Sequence, residues 1–224
     1  MMNEPRAGGP IGQSTLPRSS LNIGQLRDNL EFLRGFARHP AQVGSVMPSS
    51  HRLEQRLVRA GGIADAHTVV ELGPGTGGTT AAFLRAMPAG ARLLAVELDA
   101  EFYEHLSLSI ADPRLILELG SAEHLAECLS IHRLPAPDAI ISGIPFSTMG
   151  TGVSQRIAAT VARVLRPGGR FVAYQVRAHV AAFVSPHLGQ PARQWEVVNV
   201  PPVRVFTWVK QSHRPGSAAS AHQA

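Results

Sequence analysis

Apolar positions along this chain alternate between two patterns. Short, nearly continuous apolar runs occur at residues 68–72, 91–98, 114–119, 138–142 and 171–176. Their length and β-branched content predict buried parallel strands. Between them lie stretches with helical spacing. Asp99 to Ile110 sets Phe102, Leu106 and Ile110 on one face, with Asp99 as the cap and Tyr103 at the surface or a pocket edge. Residues 78–84, 155–165 and 178–188 read as further helices. Trp195 to Val200 and Val203 to Val209 read as two strands around Pro201-Pro202. Strand and helix in alternation predict an α/β fold on a mostly parallel sheet.

Upstream, Leu26, Leu30, Leu33 and Phe36 repeat as one apolar face over residues 21–38, with Arg27, Arg34 and Arg38 flanking it. Such a helix either packs on the sheet or lies in a lipid interface. Pro40 ends it, and Ser49 or Ser50 caps a second helix running to about Ala60. Residues 1–20 are rich in Gly, Pro and Ser, and the tail from Gln211 is polar, so both are expected to be disordered. The expected organisation is a tail over 1–20, N-terminal helices over 21–62 forming a membrane or substrate lid, a domain over 63–210, and a tail over 211–224.

Composition narrows the setting. The 224 residues suffice for one α/β domain. Cys128 is the single cysteine, so no intramolecular disulfide forms and no Cys-rich zinc site is available. The ten histidines are scattered without metal-ligand spacing. No run approaches the ~18 apolar residues of a membrane span, and the N-terminus lacks a signal-peptide h-region. The net charge of +5 is uneven: residues 1–62 carry +4, residues 63–150 carry −7, and residues 151–224 carry +8. Basic ends suit an anionic partner, a lipid surface or a nucleic acid. The expected location is the cytoplasm, peripheral on the inner face of the membrane.

Chemistry is concentrated in TVVELGPGTG, residues 68–77. Gly73, Gly75 and Gly77 alternate in the turn that follows the first strand, where a ligand can approach the backbone. The spacing is not the GxGxxG of a dinucleotide site. Glu71, just before the turn, would repel a pyrophosphate and suits a cationic ligand. Glu97 ends the second strand about 20 residues on, where an acid accepts bonds from ribose hydroxyls.

The order E-x-G-x-G-x-G resembles motif I of the class I S-adenosylmethionine (SAM)-dependent methyltransferases. That resemblance implies a Rossmann-like three-layer sandwich with a seven-stranded, mostly parallel sheet closed by an antiparallel C-terminal hairpin. It also implies SAM as cofactor: Glu71, Gly73, Gly75, Thr76 and Gly77 at its methionine end, Glu97 on its ribose, and Ser121 and Ala122 beside its adenine. Many relatives have Asp where this chain has Ser121, and Glu123 is an alternative.

Residues Phe32-Leu33-Arg34 to His39-Pro40, Val43-Gly44-Ser45 and Met47-Pro48-Ser49-Ser50 resemble the N-terminal segment of bacterial phospholipid N-methyltransferases. The likeness spans roughly 26–210 and implies that Met47, Ser49 and Ser50 border the substrate pocket. Gly143-Ile144-Pro145-Phe146 resembles the (N/D)-x-P-(Y/F) corner of amino-group methyltransferases, including the rRNA adenine dimethylases. There a polar side chain and a backbone carbonyl accept bonds from the target amine. Here the polar position is Gly143, which favours an aliphatic amine that needs no such activation. By this likeness Gly143, Ile144 and Phe146 orient the amine, with Phe146 in cation–π contact or else packed in the core. For the base, Tyr103, His51 and solvent all stand open.

The activity expected is N-methylation of a membrane phospholipid, phosphatidylethanolamine or a related amino lipid. Its rivals are a nucleic-acid methyltransferase, such as an rRNA adenine-N6 enzyme, and a non-catalytic membrane- or RNA-binding protein on the same fold.

Overall fold

A computed structural model describes residues 50–196 and 202–212. The expected helix over 21–38, together with Met47 and Ser49, lies outside the described residues. The first described helix, α1 (His51–Gly61), has Ser50 as its cap, and the Ser50 hydroxyl accepts from Leu53 N at 3.2 Å. Gly62 ends it in the left-handed conformation, φ 63°, and Arg170 donates to the Arg59 and Ala60 carbonyls at that end.

The remaining elements follow as alternating strands and helices. They are β1 (Thr68–Leu72), α2 (Gly78–Ala86), β2 (Arg92–Glu97), α3 (Ala100–Ser109), β3 (Leu115–Leu119), α4 (Leu125–Ile131) and β4 (Ala139–Ser142). Then come α5 (Thr151–Val164), β5 (Arg170–Gln175), α6 (Val180–Leu188), β6 (Ala192–Glu196) and β7 (Val203–Val209). The seven strands form one sheet in the order β3-β2-β1-β4-β5-β7-β6. Strands β1 to β5 pair in parallel, and β7 runs antiparallel to both β5 and β6. This is the expected Rossmann-like class I methyltransferase architecture.

Strand alternation divides the core between the two faces of the sheet. Val70, Leu72, Ile140, Phe171 and Ala173 point to one face, with Ile157, Val161 and Val184 from α5 and α6. Val69, Ile141 and Val172 point to the other, with Leu53 and Leu57 of α1 and Phe83 of α2. The chain order reverses between β1 and β4. Their C-terminal ends therefore flank the crevice where open α/β sheets take ligands.

Two element starts and the burial of one helix differ from expectation. Helix α5 begins at Thr151 rather than Gln155, because Ser154 N bonds the Gly150 carbonyl and Ile157 and Val161 supply its apolar face. The connection after the Pro145-Phe146 corner is shortened accordingly. Strand β6 begins at Ala192, three residues early. Its ARQWE sequence is exposed at all but one position, so it carries no alternation to read. In α3 only Leu106 is fully buried, while Phe102 and Ile110 are half-buried.

Candidate active site

The glycine turn is built from left-handed backbone. Gly73, Gly75 and Gly77 have φ of 72°, 57° and 84°, a region that costs little only for glycine. Their surroundings differ. A Cβ on Gly77 would meet Leu106 at 2.5 Å, so this glycine lets α3 pack against the turn. A Cβ on Gly75 would meet nothing within 4 Å. Gly75 therefore faces open space at the C-terminal edge of the sheet, just before the N-terminus of α2.

Two buried carboxylates flank that space. Glu71, on β1, is 1 % exposed and accepts from the hydroxyls of Thr79 and of Thr80, the latter at 2.6 Å. Burial pushes its carboxyl up to about 7, against the lowering effect of the two threonines. Glu97, on β2, accepts from Gly75 N at 3.0 Å, Leu98 N at 2.8 Å and Asp99 N at 3.0 Å. Burial raises its pKa too, against these backbone bonds. Among the described residues neither carboxylate has a cationic partner. Two buried acids beside a glycine turn open to a ligand fit a cationic cofactor, and SAM has that charge. Its amino and sulfonium groups would compensate the buried acids near Glu71, and its ribose would take the remaining acceptor capacity of Glu97.

Asp99 takes the capping role expected of it, accepting from Glu101 N at 2.8 Å and Phe102 N at 3.2 Å. Ser121 caps a short 3-10 turn (Ala122–His124) by accepting from Glu123 N at 3.3 Å, and Ala122 is buried behind it. Glu123 pairs with Arg156 at 2.5 Å, which draws its carboxylate toward α5.

The corner after β4 departs from the expected arrangement in two respects. The Ile144 carbonyl already accepts from Gln175 Nε2 at 2.6 Å and from Phe146 N at 3.0 Å. Both lone pairs of a carbonyl are then engaged, which leaves none for an incoming amine. Phe146 is 1 % exposed and lies in the core, its ring centroid 6.3 Å from that of Phe183. Its ring packs between sheet and α6 and presents no face to an ammonium group. Gly143 remains at the mouth, with Gly73 O at 3.0 Å and the Tyr174 hydroxyl at 2.5 Å from where its Cβ would stand. Tyr174 was not singled out by sequence reasoning: a tyrosine in the apolar run of β5 carries no motif.

Of the proposed bases, His51 is exposed on the first turn of α1, within 3.3 Å of Glu54 and 3.1 Å of Gln55. Tyr103 is half-buried on α3. Ser50 is bonded as the helix cap described above.

Comparison with known proteins decides the class. A family model described as "Methyltransferase domain" matches residues 70–173. The chain is a SAM-dependent class I methyltransferase. This methyltransferase is 28 % identical over 147 residues to an ornithine lipid N-methyltransferase of Singulisphaera acidiphila, covering 65 % of this chain and 77 % of that one. It is 34 % identical over 96 residues to ribosomal RNA small subunit methyltransferase A of Leifsonia xyli, covering 42 % of this chain but only 32 % of the relative. Among solved structures, the N-methyltransferase NodS of Bradyrhizobium japonicum superimposes with a TM-score of 0.58 at 10 % identity, over 72 % of this chain and 96 % of that one. A 1,6-didemethyltoxoflavin-N1-methyltransferase of Burkholderia thailandensis gives 0.60 at 15 % identity, over 92 % and 94 %. The latter carries S-adenosylhomocysteine. These structural likenesses speak to the fold.

When bound, SAM supplies an electrophilic methyl group on a sulfonium. The methyltransferase itself has to hold that group, align an acceptor in line with it and exclude water. Glu71 and the glycine turn would hold the methionine end, Glu97 would fix the ribose, and the corner at Gly143 opens beside them.

Proposed function

We propose that this methyltransferase transfers methyl groups to the aliphatic amine of a membrane lipid head group, phosphatidylethanolamine or a related amino lipid. The observation that carries the reading is the corner at 143–146. Position 143 has no side chain, and the Phe146 ring is buried. A planar nucleobase amine needs an aromatic face to stack on, and the buried Phe146 ring presents none. An alkyl amine, once deprotonated, is nucleophilic without such a face. The match to the ornithine lipid enzyme extends over most of that relative, whereas the ribosomal RNA enzymes are matched over about a third to a half of their length.

The basic ends of the chain support an anionic surface as partner. In this reading the segment with Leu26, Leu30, Leu33, Phe36, Arg27, Arg34 and Arg38 rests on the inner face of the membrane. Among the described residues no helix is long and apolar enough to cross a membrane. The test is methyl transfer from labelled SAM to vesicles of phosphatidylethanolamine, to vesicles of ornithine lipid and to total RNA. Label is expected in lipid. Label in RNA alone overturns the proposal.

A further inference from the structure

Gly143 raises a question that its lack of a side chain does not answer: what accepts a hydrogen bond from the substrate amine? The Ile144 carbonyl is spent on Gln175 and Phe146 N. The space beside Gly143 is nevertheless filled by a polar atom. Strand β5 runs parallel to β4, with Ser142 opposite Ala173, so Tyr174 stands level with Gly143. It points to the face of the sheet that carries Glu71 and Ile141, and its hydroxyl reaches over Gly143 to within 2.5 Å of the missing Cβ.

Thr79, nearby, gives its one proton to Glu71. A phenol oxygen keeps two lone pairs beside its own proton, so the Tyr174 hydroxyl can accept a hydrogen bond. Burial, with the nearby Glu71 charge, holds the phenol well above its ordinary pKa, so it stays protonated and is not the base.

We propose that the Tyr174 hydroxyl accepts a hydrogen bond from the substrate amine, standing where other amino-group methyltransferases place a side chain at position 143. The inference rests on the reading of the acceptor as an amine but not on its being a lipid. Gly143 is then glycine because any larger residue would collide with this hydroxyl.

The probe is sinefungin, the SAM analogue with a primary amine where the sulfonium methyl would be. S-adenosylhomocysteine, which has no group there, is the reference. Binding of both is measured by calorimetry in the wild type and in Tyr174→Phe, which keeps the ring and removes the oxygen. The expected result is an about tenfold loss of sinefungin affinity, with S-adenosylhomocysteine held within about twofold, which also shows that the variant is folded. An unchanged ratio of the two affinities overturns the proposal. The same variant is assayed on whichever acceptor the wild type labels, where kcat is expected to fall about tenfold or more with the KM for SAM unchanged. Retention of kcat there also overturns it. Label in RNA rather than lipid would overturn the lipid reading alone, because the sinefungin comparison does not depend on the acceptor's source.

Discussion

The carboxylate of Glu97 accepts a hydrogen bond from Gly75 N across 22 residues of sequence, at 3.0 Å. The end of β2 thereby holds the glycine turn that leaves β1. One acid fixes the loop that would receive the cofactor, and its remaining acceptor capacity would serve the ribose. Replacing it by glutamine places an amide donor against backbone N–H groups. Glu97→Gln is expected to lower stability by about 1–3 kcal/mol and to weaken SAM binding at least tenfold. Denaturant unfolding and calorimetry on the same preparations measure the two effects.

Glu71 predicts a pH dependence. Its folded pKa of about 7 stands above the ordinary 4.5. The folded protein keeps the proton over the interval in which the unfolded chain has lost it. This contribution to stability is fully present below pH 4.5 and is lost as pH rises through 7. Cationic SAM prefers the ionised carboxyl, so its affinity should rise from pH 6 to pH 8, with proton release on binding below pH 7. In Glu71→Gln the affinity should be weaker and flat over that interval. Calorimetry in buffers of different ionisation enthalpy reads the released proton.

Gly75 and Gly77 share a backbone conformation but not an environment. Gly77→Ala adds a collision with Leu106 to the conformational strain, and should cost about 2–4 kcal/mol of folding stability. Gly75→Ala meets open space and should cost only about 1 kcal/mol, while its methyl enters the ligand's side of the turn. It should therefore fold and bind SAM poorly. Thermal melts with and without SAM separate the two variants: a SAM-induced rise in Tm equal to wild type in Gly75→Ala would contradict this placement of the cofactor.

Phe146 tests whether the ring is packing or chemistry. Phe146→Ala should destabilise the fold by about 3–5 kcal/mol, as for other buried aromatics. Phe146→Leu keeps much of the volume and should retain kcat within a few-fold. A large loss of kcat in the leucine variant at unchanged stability would mean that the ring contacts the amine after all.

Much of the fold was legible in the sequence because each signal was local. Thr68–Leu72 is a strand because four of its five residues are apolar or β-branched and a glycine turn follows, and the structure buries all five positions. Asp99 was readable as a cap because capping needs only N–H groups two and three residues ahead. Strand β6 was misplaced at its start, since ARQWE lies on a sheet edge, exposed at all but one position, and shows no apolar alternation.

The order of acids and glycines along the chain therefore determined the class of cofactor and the α/β fold, since both depend on residues close together in sequence. Tertiary structure decided the acceptor corner. Whether Ile144 has a free lone pair depends on Gln175, 31 residues away. Whether the Phe146 ring is free depends on Phe183 in α6. What fills the space at Gly143 depends on Tyr174, which β5 brings level with it by pairing alongside β4. No local pattern encodes these contacts, because strand pairing and helix packing set each of them.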